Sequence, residues 1–246
     1  MDKFEVSKDM LGGSGIVKGE DIIEVGEADG HVLRRVHDED YLSKIYYGQL
    51  DRKEQILLGL PVTPKLYHRS ATEVEATRQA CHAALQDGVA AVLAGGTHHS
   101  FQNRGEGYCV FNDVAIAIRD LQVYRPGIRV MVVDTDAHQG NGTNSILADD
   151  PNVFTYSIHV GRNFPSRKVN GSMDVETVRY VEGEMVGRGK IMAAIFSNQG
   201  DTFTAIRDSK TDNFYDDEGR AMKKAFLRSP LDFRRVTSSF NPNRRH

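Results

Sequence analysis

Apolar positions change their rhythm along this chain of 246 residues, and each change marks an element. Residues 1–50 mix short apolar stretches with Gly12, Gly13 and Gly26. Within them Arg35-Val36-His37-Asp38-Glu39-Asp40-Tyr41-Leu42 reads as a charged helical segment, and His37, like His31 before it, is expected on the surface. The pattern sharpens at Ser70-Ala71-Thr72-Glu73. That spacing is a capping box, in which the hydroxyl and the carboxylate each satisfy a backbone donor; good helix formers follow to Gln86, and Gly88 supplies the stop. Residues 89–93 are an unbroken apolar run, as expected of a strand buried on both faces. A second helix opens near Asn112 or Asp113 and runs to about Leu121. After the Pro126-Gly127 turn, residues 128–133 form another buried-strand candidate, and residues 153–159 a third. Strand, helix and strand joined by connections of this length predict a parallel sheet of the α/β class.

Such folds place their chemistry in loops beyond the carboxyl ends of strands. Two of the predicted strands end in His98-His99 and in Asp134, Asp136 and His138. Neighbouring parallel strands would bring these groups into one cleft. Imidazole and carboxylate suit zinc or another borderline divalent ion, with one coordination position left open to water. Taken alone, an Asp-x-Asp pair after a strand also serves magnesium or phosphate sites or caps a turn, and adjacent histidines also occur in loops without a role. Gly95-Gly96 and Gly140-x-Gly142 are not followed by Lys-Ser/Thr, which argues against a phosphate-binding P-loop. Tight turns and close backbone approach explain these glycines better.

Composition adds limits. With 39% apolar and 8% aromatic residues, the chain can build a buried core as one large or two ordinary domains. The net charge of −3 offers no reason to expect a nucleic-acid partner. Charge is unevenly spread, however. From residue 220 onward eight basic side chains face Asp232 alone, a charge of +7, so with a net of −3 the rest of the chain carries −10. Cys81 and Cys109 are too few and too far apart for a disulfide framework, which points to a reducing compartment. The first residues contain no apolar leader and no run approaches the ~20 apolar residues of a membrane span, so a cytoplasmic protein with no membrane partner is expected.

Three ordered motifs carry a family resemblance: Ala94-Gly95-Gly96-Thr97-His98-His99-Ser100-Phe101, Arg104-Gly105-Glu106-Gly107-Tyr108-Cys109-Val110-Phe111-Asn112-Asp113 and Val133-Asp134-Thr135-Asp136-Ala137-His138-Gln139-Gly140-Asn141-Gly142-Thr143. Together they resemble the histone deacetylase family, in particular its bacterial and class-IV-like branch, which has Gln-Gly-Asn after a ligand histidine. The likeness runs from about residue 1 to about residue 175 and includes Arg35-Val36-His37, Asn163-Phe164-Pro165 and Arg167-Lys168. It implies an incomplete arginase/deacetylase-like parallel-sheet domain over residues 1–177, with zinc-dependent amidohydrolase activity on acetyl-lysine or a related acyl amide. By that resemblance Asp136 and His138 are zinc ligands and His98 and His99 the catalytic pair, His99 acting as general base and then acid. A zinc-bound water, its pKa lowered toward ~7, would lose its proton to that imidazole. Asp134 would orient His98 and Asn141 would orient His99. The resemblance also implies a structural potassium at Asp134, Asp136, His138, Ser157 and Ile158, and a substrate tunnel walled by Tyr108, Phe164 and Gly107. The family's third zinc ligand, an Asp in a Gly-x-Asp loop, and its Tyr in a Gly-rich loop cannot be placed. Gln199-Gly200-Asp201 is only superficially like the former, and no Gly-Gly-Gly-Tyr string exists. Impaired or absent turnover is therefore expected.

Residues 178–246 have a different character. Tyr180-Val181-Glu182-Gly183-Glu184, Ile191 to Gln199-Gly200, Phe214 to Arg220 and Lys224 to Leu231 resemble the region just before the catalytic domain of lysostaphin-type zinc endopeptidases, which cut peptidoglycan cross-links. The ligand motifs of those enzymes are not in this stretch, and His246 is not one of those ligands. The composition predicts a small β-rich segment of short strands and charged turns, its basic stretch a solvated face or a contact for an anionic cell-wall partner. The join near residues 176–182 reads as an artificial or frameshifted chimera, and as a poorly packed junction. Two other functions remain open: a fragment of a peptidoglycan zinc endopeptidase, and a non-catalytic module that holds acyl-lysine or a polyamine. A half-sheet ending near residue 175 leaves its last strand unpaired and apolar surface uncovered, so oligomers or aggregates are expected through that edge.

Overall fold

The computed structural model describes residues 3–14, 17–177, 179–181, 184–187, 193–198, 201–208, 210–211, 213–216 and 218–221. The chain divides into two compact units, residues 1–188 and 189–246. The first unit is helical up to residue 124: α1 (Lys3–Gly13), α2 (Gly30–Leu33), α3 (Glu39–Tyr47), α4 (Arg52–Leu58), α5 (Pro64–Asp87) and α6 (Asp113–Tyr124). There follow β1 (Val130–Asp134), α7 (Asn141–Leu147), β2 (Val153–Val160) and β3 (Met173–Thr177). These three strands form one parallel sheet in the order β1-β2-β3, with Asp134 opposite Ser157 and Ile158 opposite Val175. β4 (Arg179–Val181) and β5 (Glu184–Gly187) pair as an antiparallel hairpin. The second unit holds an antiparallel sheet of β6 (Ala193–Asn198), β7 (Asp201–Arg207) and β8 (Phe214–Tyr215), the short strands expected of this stretch. The basic stretch beyond residue 221 lies outside the described residues, as do residues 178, 182 and 183 of the junction. No helix among the described residues is long and apolar enough to cross a membrane.

The core sits where α3, α5 and α6 meet, around the fully buried side chains Leu33, Tyr41, Ile45, Leu58, Val74, Phe111, Ile116 and Leu147. Helix ends follow local chemistry. Asp51 caps α4 through the backbone N–H groups of Lys53 and Glu54, while Glu54 reaches back to the Asp51 N–H. Asn112 caps α6 by accepting from the Ala115 N–H.

Four expectations need correction. The long helix begins seven residues earlier than the Ser70 capping box predicts, because Thr63 accepts from the Leu66 N–H and Pro64 fits the first helical position. Ser70 instead lies inside α5 and is buried; the Gly88 stop is as expected. Residues 89–93 form no strand. A parallel strand needs a neighbour for its backbone groups, and β1 has only β2 beside it among the described residues, so Val89 and Leu93 are exposed. β1 is also not buried on both faces. Val130 and Val132 pack against the helical core, whereas Met131 and Val133 are each 54% exposed on a face that no described element covers. Finally, His37 is only 3% exposed rather than a surface residue. α3 starts at Glu39, so His37 precedes it, and the ring turns inward between Tyr41 and Phe111 at centroid distances of 5.6 and 5.3 Å. There its Nε2 accepts from the Asn112 N–H at 3.0 Å and its Nδ1 donates to the Gln102 carbonyl at 3.2 Å. His31 is exposed, as expected.

Candidate active site

The segment carrying His98 and His99 is anchored by the start of α6. Gly95 and Gly96 both take positive φ, and Asp113, the first residue of α6, accepts from the backbone N–H of Gly96 and Thr97 at 2.9 and 2.8 Å and from the Thr77 hydroxyl at 2.6 Å. A Cβ at Gly95 would stand 2.5 Å from the Asp113 carboxylate, so only glycine permits this approach. Asp113 is fully buried, and reading it only as a helix start misses this role. The clue is a Gly-Gly-Thr turn followed, after one loop, by an Asp at a helix N-terminus.

From that anchor the two imidazoles are brought together at a centroid distance of 4.1 Å. His98 Nδ1 donates to Asp134 Oδ2 at 2.6 Å, and His99 Nδ1 donates to Asn141 Oδ1 at 2.8 Å. Asp134 closes β1 and Asn141 opens α7, so the end of one strand and the start of the next helix hold one ring each. A Cβ at Gly140 would lie 2.4 Å from Asp134 Oδ2, which explains the glycine between the two supports. With both Nδ1 atoms facing outward, the Nε2 atoms face each other at 3.1 Å, close enough for one proton to bridge them. Burial, reinforced by the charge of His98, pushes the His99 imidazole down to about 4. For Asp134 burial acts to raise the pKa, but the hydrogen bond and charge of His98 outweigh it, so the carboxyl sits below its ordinary value.

Asp136 and His138 are differently placed. Asp136 donates its N–H to Asp134 Oδ1 at 3.0 Å, and its own carboxylate accepts from the His138 N–H at 2.8 Å. The His138 ring lies close by, Nδ1 to Asp136 Oδ1 at 3.1 Å, yet both side chains are largely open to solvent. Among the described residues no group of three or more His, Cys, Asp or Glu side chains is set to hold a metal ion. Hydrolytic zinc sites use three protein ligands. The Asp136 and His138 donors match zinc in kind and fall short in number.

Of the remaining expected groups, Asp134 and Ser157 are register partners across β1 and β2, and the buried Ser157 hydroxyl bonds to His159 Nδ1 at 3.0 Å. Ile158 lies beside them on β2. Phe164 stands edge-on to His99 and His138 at 4.8 and 5.8 Å. Gly107 leaves room for that pairing, since a Cβ there would lie 2.8 Å from both His99 Cδ2 and Phe164 Cε1. Tyr108, at φ 68°, is held by its N–H to the Leu58 carbonyl at 2.8 Å; its ring rests over Gly59 and stays exposed, at the rim. His98, His99, Asp134, Asn141, His138, Gly107 and Phe164 thus meet in one place, a facing pair of imidazoles beside an aromatic wall. That arrangement can accept and return a proton next to an apolar side chain.

The α/β architecture that presents this site is the arginase-like fold of deacetylases: a solved HDAC homolog from Aquifex aeolicus superposes on 68% of this chain and 50% of its own, with a TM-score of 0.59 at 23% identity. The histone deacetylase domain matches residues 1–204, and the chain belongs to that family. An uncharacterized protein of Picosynechococcus sp. is 39% identical over 175 residues, which covers 71% of this chain and 58% of that protein. The likeness to cell-wall endopeptidases is also real and confined to a small part of the chain. Peptidoglycan DD-endopeptidase ShyC of Vibrio cholerae is 69% identical over 68 residues, 28% of this chain and 16% of that enzyme. The chain spans about half the length of its deacetylase-family relatives.

Proposed function

We propose that the domain is a deacetylase-type amidohydrolase acting on acetyl-lysine or a related acylated amine, with turnover impaired in this chain. The observation that carries this reading is the pair of imidazoles meeting at Nε2, each fixed from behind, by Asp134 and by Asn141. In this role His99 takes a proton from the attacking water at Nε2 and returns it to the leaving amine, while His98 with Asp134 stabilises the charge that develops beside it. Phe164 and Gly107, with Tyr108 at the rim, form a slot whose apolar wall suits the methylene stem of an acyl-lysine. Asp136 and His138 are the zinc donors of this reading, and two donors are too few for tight binding. Asp134, Asp136, His138, Ser157 and Ile158 are its potassium site, at the ends of the two paired strands. The reading places the protein in the cytoplasm and gives it neither a nucleic-acid nor a membrane partner.

Acetate release from an acetyl-lysine peptide and from an N-acetylated diamine, measured with added zinc, tests it. Slow release that His99→Ala abolishes is expected, together with weak zinc binding by calorimetry that Asp136→Ala removes. Release unaffected by His99→Ala would sink the assignment, and rapid turnover with tight zinc binding would sink the impairment. Tight peptide binding without release would instead favour a non-catalytic binding module. Release of peptides from purified peptidoglycan would favour the endopeptidase reading.

A further inference from the structure

The two imidazoles are held by chemically unequal supports, and the inequality points to a residue outside the set described so far. Asp134 is a carboxylate, with two equivalent oxygens, so whichever one faces His98 Nδ1 accepts a hydrogen bond. Asn141 is an amide. One end accepts and the other donates, the two are almost the same size, and a half-turn of the amide would present an NH2 group to His99. His99 Nδ1 would then have to accept, the proton would move to Nε2, and the nitrogen facing His98 would no longer be a free acceptor. A carboxylate needs nothing to keep it correctly turned, whereas an amide does.

Glu106 supplies that. Its Oε1 lies 3.1 Å from Asn141 Nδ2. An ionised carboxylate accepts only, so the NH2 end must face Glu106 and the oxygen is left facing His99 Nδ1, at 2.8 Å. Glu106 is itself fixed. Its side chain is 14% exposed, and its second oxygen lies 3.5 Å from the Arg104 guanidinium, which stacks on the Phe101 ring at 3.6 Å. Its backbone exchanges both hydrogen bonds with Cys109, at 2.9 and 3.2 Å, closing a tight loop through Gly107 and Tyr108, both at positive φ.

We propose that Glu106 is a positioning residue that sets the tautomer of His99 by fixing which end of the Asn141 amide faces it, an inference that rests on His99 being the proton acceptor of the proposed amidohydrolase. Glu106 does not touch the reacting atoms. It acts through one intermediate side chain, and it does so for His99 alone.

Nitrogen-15 NMR of the histidine rings in the purified chain at pH 8, without substrate or metal, reads the tautomer directly. In the unmodified chain His99 is expected as a single Nδ1–H tautomer. Glu106→Ala is expected to give a mixture of Nδ1–H and Nε2–H forms at His99 while His98 is unchanged. Adding Asn141→Asp to Glu106→Ala is expected to restore the single Nδ1–H form, because a carboxylate has no wrong end. Should Glu106→Ala not fold, as judged by its melting curve, Glu106→Gln asks the same question at nearly constant size, since glutamine can offer either end to Asn141 and a mixture is again expected. A His99 that stays purely Nδ1–H in the folded Glu106 variants, or a folded double variant that remains mixed, would overturn the proposal. The readout needs no turnover, so acetate release unaffected by His99→Ala would defeat the functional reading, while an Nδ1–H His99 that responds to Glu106 would leave this inference standing.

Discussion

The site has two sides that are adjacent in sequence and unlike in environment. His98 and Asp134 have side chains only 13% and 16% exposed and are joined at 2.6 Å, whereas His138 and Asp136, two to four residues beyond Asp134 in the same loop, are 40% and 53% exposed and bonded chiefly to each other. The first pair is supported from several directions, through Gly140, the Asp113 anchor and the start of α7. The second lies in the loop beyond β1, with the His138 ring beside His99 and Phe164 but both side chains reaching solvent. Groups whose partners lie within the described residues are organised before any ligand arrives. Asp136 and His138, with fewer described partners, stay open to solvent, and the same holds for the sheet behind them, where Met131 and Val133 face outward.

Substitutions at the two sides should separate them most widely. Asp134→Ala leaves two donors, the His98 Nδ1–H and the Asp136 N–H, without their acceptor and is expected to destabilise the fold by about 3 to 5 kcal/mol, measured by urea unfolding. A loss under about 1 kcal/mol would mean the pair is not pre-formed. Next in size is a pH effect on the supporting shell. Burial holds His37 at about 4, below its ordinary 6.5, so the unfolded chain binds the proton first as the solution is acidified. Stability is thus full above pH 6.5 and is expected to fall by about 3 kcal/mol between pH 6.5 and 4. A His37→Phe variant should lose that part of the slope; an unchanged slope would exclude His37 as its source. Gly107→Ala forces a methyl group between His99 and Phe164 at positive φ, at a cost of about 1 to 3 kcal/mol. Loss of the ring contact between Phe164 and His99 should accompany it in NMR, and an undisturbed contact would count against a closed slot. Smallest is Asp136→Ala, expected below about 1 kcal/mol because its partner is solvent-exposed. An effect as large as that of Asp134→Ala would erase the contrast between the two sides.

Much of this was legible in the residues, for identifiable reasons. The helix over residues 113–124 and the strands at 130–134 and 153–160 carry their signals locally, in an Asn cap, a Pro-Gly turn and stretches rich in β-branched and aromatic residues. The histidine pair and the acidic loop do meet, but not as loops after two neighbouring strands: residues 89–93 form no strand, and Asp113 at the start of α6 holds the histidine segment instead. The Ser70 capping box failed because two starts compete on one helix, and Thr63-Pro64 opens it earlier. Residues 89–93 failed because a strand is a property of pairs, and an apolar run without a neighbour has nothing to bond. His37 failed because flanking charges describe the chain around a residue, not the direction its ring takes.

The sequence by itself determined the chemistry available: which side chains can donate, accept or ligate, in what order, and which family they mark. It also determined the glycines at 95, 107 and 140, whose missing side chains are the space the site occupies. Only the tertiary structure decided which of these groups are buried and paired. Burial depends on what packs opposite, and a hydrogen bond depends on which end of a side chain faces its partner. Neither is a property of any single position, and both arise here where Asp134 and Asn141 meet two imidazoles, with Asp113 anchoring the segment that carries them and Glu106 bonded to Asn141.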